Sequence, residues 1–186
     1  MLETVELQDM DSDIGCADNT GGILKILIGY HQDVATWPTI PAVSEVASIA
    51  EFGTLEGDLV MATGKKLVCI RLPQNKGSLT ISEQGEQGGM SHLMEVVVRQ
   101  DGITPEILGL MGATKNANLV GIVVDTNGQA YLLGDSGTPM RRVAGDGAVT
   151  GASRTDLRNV GVKFQYPVNS PRIYLGDMDS LIEAAV

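Results

Sequence analysis

The segment NLVGIVVDTNGQAYLLG, residues 118–134, leaves little choice of structure. Its apolar run, Leu119, Val120, Ile122, Val123 and Val124, is rich in β-branched side chains and too short for a comfortable helix. Asn127-Gly128 supplies the pair of positive φ angles that a two-residue hairpin turn demands. The pattern therefore predicts two antiparallel strands in a fixed register. Just upstream, Thr104-Pro105-Glu106 carries the signals of a helix start: threonine as N-cap, proline at the first helical position, and a carboxylate near the positive end of the helix dipole. A helix over residues 105–113 turns Ile107, Leu108 and Met111 to one side. Helix followed by hairpin is the expected centre of the fold.

Other strands must pack onto that centre. Ile23-Leu-Lys-Ile-Leu-Ile28 is apolar on both faces and predicts a buried strand. Leu59-Val60-Met61 follows, then a buried strand through Leu67, Val68, Cys69 and Ile70 after the turn Thr63-Gly64. Leu79-Thr80-Ile81 reads as a short edge strand, and residues 91–100 as a long one closed by Asp101-Gly102. Residues 140–143 predict a further strand, and Val160, Val162, Phe164 and Tyr166 alternate as a half-buried one. The last residues, with MDSLIEAA, suit one or two helical turns. The sum is about eight strands and one main helix. Between them lie an acidic N-terminal arm over residues 1–22, with Leu2, Val5 and Leu7 alternating; a long irregular loop over residues 29–58; a polar glycine-rich link over residues 83–89; and a glycine-rich loop over residues 145–159. With no repeats and only 186 residues, the chain is expected to be a single domain over 1–186, since single cores stop growing only near ~250–300 residues.

Composition narrows the class. A hydrophobic content of 43% excludes general disorder, while 4% aromatic residues and 23 glycines point to a turn-rich β-protein with an aliphatic core. The longest strongly apolar run, from Ile23 to Ile28, is far short of the ~20 residues that span a bilayer, and the first residues are acidic where a signal peptide is basic. A soluble protein made inside a cell is expected. Cys16 and Cys69 have no motif spacing, so neither a disulfide framework nor a zinc site is indicated. Charge is unevenly spread. Residues 1–60 hold 11 acids and one base, Lys25, whereas residues 61–186 hold 12 of each, so the first third carries the whole net charge of −10. Such a field repels phosphate and argues against ordinary nucleic-acid binding. Basic residues gather instead within 141–172, where Arg141, Arg142, Arg154, Arg158, Lys163 and Arg172 face only Asp146 and Asp156.

Several motifs invite a chemical reading. Gly134-Asp135-Ser136-Gly137 resembles the nucleophile segment of trypsin-like serine proteases, but Thr138 replaces the last glycine of that motif, and such chemistry needs a base for the serine and a carboxylate to orient it. Only His31 and His92 could serve, and His31 sits in GYHQD without the Ala-Ala-His-Cys setting, so a turn after a strand is the favoured reading. Asp9, Asp11 and Asp13 have the alternate spacing of the first ligands of a calcium loop, yet the glycine falls one place late at Gly15 and Thr20 stands where the bidentate glutamate belongs; a solvated acidic arm fits better. GEQGG lacks the Gly-Lys-Ser/Thr ending of a phosphate loop, and His92, at the start of a strand, reads as structural. Trp37, the only tryptophan, beside Pro38 and Pro41, is either a plug over the core or an interface contact. No catalytic constellation survives, and no cofactor or metal is expected.

From about Gly64 to Asp177 the order of pieces resembles structural proteins of tailed bacteriophages, above all the tail tube (major tail) proteins. The likeness rests on Glu86-Gln-Gly-Gly-Met-Ser-His92 leading into a long strand, Ile107-Leu-Gly-Leu with Asn116 and Asn118 before a strand, Asp125-Thr-Asn-Gly-Gln129 with Leu133-Gly134, then Thr150-Gly151, Asp156 with Arg158, Phe164, and Tyr174-Leu-Gly176. The resemblance implies a mainly β fold, an antiparallel β-sandwich or barrel-like domain with one principal helix and long loops, whose termini reach into neighbouring subunits. It implies self-assembly into hexameric rings stacked as a conduit through which DNA passes unbound, other phage tail proteins as partners, residence in the virion tail and no membrane. On this reading Asp9, Asp11, Asp13, Trp37, Arg141, Arg142, Arg154 and Arg158 are the candidate subunit-interface residues. A capsid decoration or head–tail joining protein is the nearest alternative, and a serine hydrolase using Ser136 the alternative of another class.

Overall fold

The computed structural model describes residues 21–182 apart from Glu45, Gln74, Arg154 and Leu157. The predicted N-terminal arm with Asp9, Asp11 and Asp13, and Arg154 of the basic stretch, lie outside the described residues. The strands are β1 (Ile23–Tyr30), β2 (Val34–Thr36), β3 (Thr54–Leu55), β4 (Val60–Met61), β5 (Val68–Arg71), β6 (Gly77–Gln84), β7 (Ser91–Asp101), β8 (Asn118–Asp125), β9 (Ala130–Leu133), β10 (Met140–Val149), β11 (Asn159–Val168) and β12 (Ile173–Tyr174); the helices are α1 (Ile49–Phe52) and α2 (Pro105–Thr114). The chain is mainly β, and its principal sheet curls into a half-barrel.

The hairpin β8–β9 forms where its apolar run requires it, with Val124 opposite Ala130 and Gly121 opposite Leu133. Its turn differs from the two-residue form. Asp125 N–H donates to Gln129 O at 2.9 Å and Gly128 N–H to Asp125 O at 3.2 Å, closing a three-residue loop in which only Gly128, at φ 86°, takes the left-handed conformation. The Asp125 carboxylate is the reason: its Oδ1 accepts from the N–H of Asn127 and of Gln129, at 2.9 and 2.8 Å, and so stabilises a wider turn than the Asn-Gly pair alone favours.

Strand β8 is buried from Leu119 to Val124 because it is covered on both faces. One edge pairs antiparallel with β1, which in turn pairs with β5. The other edge is shared: β9 takes residues 121–124, and β10 takes Leu119 and Asn118 through Met140 and Arg141. The sheet forks there, one branch running through β9, β12 and β3, the other through β10, β11, β7 and β6. The second branch folds back so that Met94, Val96 and Val98 of β7 and Val160, Val162, Phe164 and Tyr166 of β11 meet Ile26, Ile28, Leu119 and Val123 in one core. The opposite faces of the same central strands present Leu27, Val120, Ile122 and Val124 to a second core with Leu59, Leu67, Tyr174 and Leu181.

That second core explains the main departures from the sequence reading. Residues 29–58 are not one irregular loop: β1 runs on to Tyr30, a turn of 3-10 helix covers His31–Asp33, and β2, α1 and β3 follow. Val34, Trp37 and Leu55 of this stretch pack over the second core, so it is ordered by its own domain. The one-turn α1 is capped by Ser48, whose Oγ accepts from Glu51 N–H at 3.2 Å while Glu51 Oε2 accepts from Ala47 N–H at 2.8 Å. Strand β5 lies at the margin, leaving Val68 59% exposed where full burial was expected. Strand β10 continues to Val149, which shortens the glycine-rich loop to residues 150–158, and β6 is eight residues long rather than three. Helix α2 starts as predicted, with Thr104 Oγ1 accepting from Ile107 N–H, but Leu108 points to solvent; Ile107, Leu110 and Met111 make its core contacts.

Candidate functional site

The fork in the sheet opens a cleft on this surface. Between Leu133 and Met140 the chain leaves the edge of β8 as the loop GDSGTP, and Gly134, at φ 125°, makes the departure possible because a side chain is rarely tolerated in that conformation. Asp135 then holds the loop closed. Its Oδ1 accepts from the N–H of Gly137 and of Thr138, each at 2.7 Å, and its Oδ2 accepts from the hydroxyl of Tyr166 at 2.7 Å. Burial and the facing Asp135 carboxylate push the Tyr166 phenol far above its ordinary pKa, which keeps it a hydrogen-bond donor near neutral pH.

The loop forms one wall of a cleft of about 620 Å³, faced by Trp37 and Ile40 from the segment after β2, Leu55 of β3, Leu132 of β9, and Arg172 just before β12. Trp37 is half-buried and stacks against His31, ring centroids 4.8 Å apart and planes tilted by 39°. It therefore plugs the second core while its outer side lines the cleft. Arg172 is only 8% exposed. Its Nη1 donates to Phe52 O at 2.7 Å and its guanidinium lies 4.3 Å from the centre of the Phe52 ring, but its Nε meets no acceptor. Burial lowers the Arg172 pKa from its ordinary value, although a guanidinium keeps its charge near neutral pH.

The GDSG segment does not assemble the parts of a serine nucleophile among the described residues. His31 approaches it, but Nε2 bonds the backbone carbonyl of Asp135 at 2.6 Å, and no side-chain hydrogen bond joins Ser136 to a histidine. His92 lies elsewhere, its Nδ1 at 2.9 Å from Asn169 O.

The interface candidates that are described do not form one patch. Arg141 and Arg142 sit with Lys115 around a shallow cleft at the C-terminal end of α2. Arg142 is committed internally, its Nη1 donating to Met111 O. Arg158 lies at the far end of the β10–β11 ladder and donates to Ile103 O at 3.1 Å. Lys163 is paired with Glu95 at 2.7 Å. Arg172, which the sequence marks only as one base among six, is the buried one; nothing in its surroundings along the chain signals that. Among the described residues no three His, Cys, Asp or Glu side chains gather as a metal site, and no helix is long and apolar enough to cross a membrane.

The fold and these surfaces define a mainly β chain with a forked, incompletely closed sheet. Comparison with known proteins gives no family model, no curated protein and no solved structure that matches it.

Proposed function

We propose that this chain is a structural virion subunit, a tail tube protein that self-assembles into stacked rings and leaves a conduit for DNA. The observation that carries this reading is the open half-barrel. Among the described residues nothing pairs with the outer edge of β6, an eight-residue strand, so a row of backbone donors and acceptors is left for another chain. Strand addition at such an edge gives main-chain hydrogen bonds between copies, and repeated around a ring it leaves no edge unused. The uneven charge supports the same reading: the acid-rich first third, placed toward a lumen, repels phosphate and keeps DNA from adhering in transit. Catalysis has no part in the proposal.

Electron microscopy of the purified protein over a range of concentrations, beside sedimentation analysis, tests it. Rings or tubes with a central hole are expected. Monodisperse monomers at every concentration would sink the idea.

A further inference from the structure

We infer that the fork cleft is a binding site for a monocarboxylate with an apolar body, with Arg172 as the group that recognises the carboxylate. The inference starts from an imbalance of charge. A guanidinium carries five N–H donors and a full positive charge, and burying it is costly unless an anion or several acceptors compensate. Arg172, at 8% exposure, has one carbonyl acceptor, one aromatic ring beneath it and an orphaned Nε. The carbonyl and the ring offset only part of the charge, and among the described residues no carboxylate forms an ion pair with it. Asp135 lines the same cleft, but its oxygens are already taken by two loop amides and the Tyr166 hydroxyl.

The cleft around this cation sets the rest of the ligand. At about 620 Å³ it lies inside the ~300–1,000 Å³ range of small-molecule sites. Trp37, Ile40, Leu55 and Leu132 give it apolar walls. A single cation suits a monoanion; a phosphate dianion would meet the Asp135 charge on the same wall without a second base to balance it. Planar carboxylate matches planar guanidinium, which favours a carboxylic acid over other monoanions.

Trp37 is the only tryptophan in the chain and lies at the site, so its fluorescence reports occupancy directly. The probes are phenylbutyrate and its neutral analogue phenylbutanamide. The acid is expected to produce a saturable change in Trp37 emission, with the amide binding about tenfold more weakly. Arg172→Gln should weaken the acid by at least about tenfold and abolish the preference over the amide. Because Arg172 also anchors Phe52, a second variant guards against misfolding. Ile40, at 63% exposure, contributes little to the core, so Ile40→Glu places a negative charge at the mouth of a folded cleft. It should weaken the acid more than the amide, whereas Ile40→Gln should affect both alike. No saturable response to the acid up to about 10 mM, equal binding of acid and amide, or acid binding unchanged in Ile40→Glu would each overturn the inference.

Discussion

Asp135 does more for this fold than the serine beside it. Three donors converge on its carboxylate, one of them the hydroxyl of the buried Tyr166. Asp135→Ala strands that hydroxyl and two loop amides, and a loss of about 1–3 kcal/mol in unfolding free energy is expected from denaturant titration. Asp135→Asn should cost less, because its amide oxygen can still serve the loop while the phenol turns round to accept from the new NH2. Ser136 makes no comparable contact and is exposed, so Ser136→Ala should stay within about 0.5 kcal/mol of wild type, and a fluorophosphonate probe should leave Ser136 unlabelled. Labelling of Ser136 would revive the hydrolase reading. At this scale the sequence is legible where a residue acts on its own neighbours: the Asp135 turn could be read from GDSG, but not its bond to Tyr166, thirty-one positions away. Burial of Arg172 was equally hidden, since only packing brings Phe52 to it across 120 positions.

Elements were legible in proportion to how far their own periodicity decided them. Strands β1, β8 and β11 stood out because the alternation or continuity of their apolar residues matches the faces they bury, and α2 because its N-cap and proline are local signals. The segment from His31 to Leu59 did not, because its order comes from packing over a second core that the sequence does not announce; the Ser48-to-Glu51 cap was the one local clue. The β7–β11 ladder carries a pH-dependent contribution. Both oxygens of Glu95 are engaged, one by Lys163 Nζ at 2.7 Å and one by Gln165 Nε2 at 2.8 Å, and these bonds, Lys163 first, hold its pKa below the usual value near 4.5. A carboxylate depressed on folding stabilises the native state fully above its unfolded pKa, and that contribution fades as pH falls through the lowered folded value. For a partly exposed pair the effect should be about 0.2–1 kcal/mol. Comparing urea midpoints at about pH 6 and about pH 3, Glu95→Gln should lose less stability on acidification than wild type; an identical acid-induced drop would rule the contribution out. Strand β6 permits a test of a different kind. Arg99 N–H donates to Lys76 O, so by alternation the N–H groups of Gly77, Leu79, Ile81 and Glu83 point away from β7. Ile81→Pro therefore removes an outward donor while sparing the β6–β7 ladder. The monomer should stay folded, and rings or tubes should fail to form; normal assembly of this variant would mean that the β6 edge is not where copies meet.

For the whole molecule, the question is whether the charge asymmetry acts between copies. The acids of residues 1–60 outnumber bases eleven to one, and some have internal duties: Asp33 pairs with Lys65 at 3.5 Å, and Glu51 caps α1. The bases must be sorted the same way before any is assigned to a neighbour. Arg142 and Arg158 hold main-chain carbonyls, Lys163 holds Glu95, and Arg172 is buried. Among the described bases of residues 141–172 that leaves Arg141, which lies beside Lys115; both are exposed at the end of α2 and outside every ion pair among the described residues, a positive corner open to an acidic segment of another copy. An exposed pair contributes only about 0.2–1 kcal/mol, but it steers encounter and sets register, and a ring repeats it at every interface. Arg141→Glu combined with Lys115→Glu should consequently slow assembly at low salt without unfolding the monomer. Raising the ionic strength to about 0.5 M shortens the screening length to a few ångströms, so the gap between variant and wild type should narrow as salt is added. Light scattering during assembly, followed across a salt series, measures both. Assembly rates that match wild type at every ionic strength would mean that the acidic third faces the lumen alone, and that electrostatic pairing between copies has to be given up.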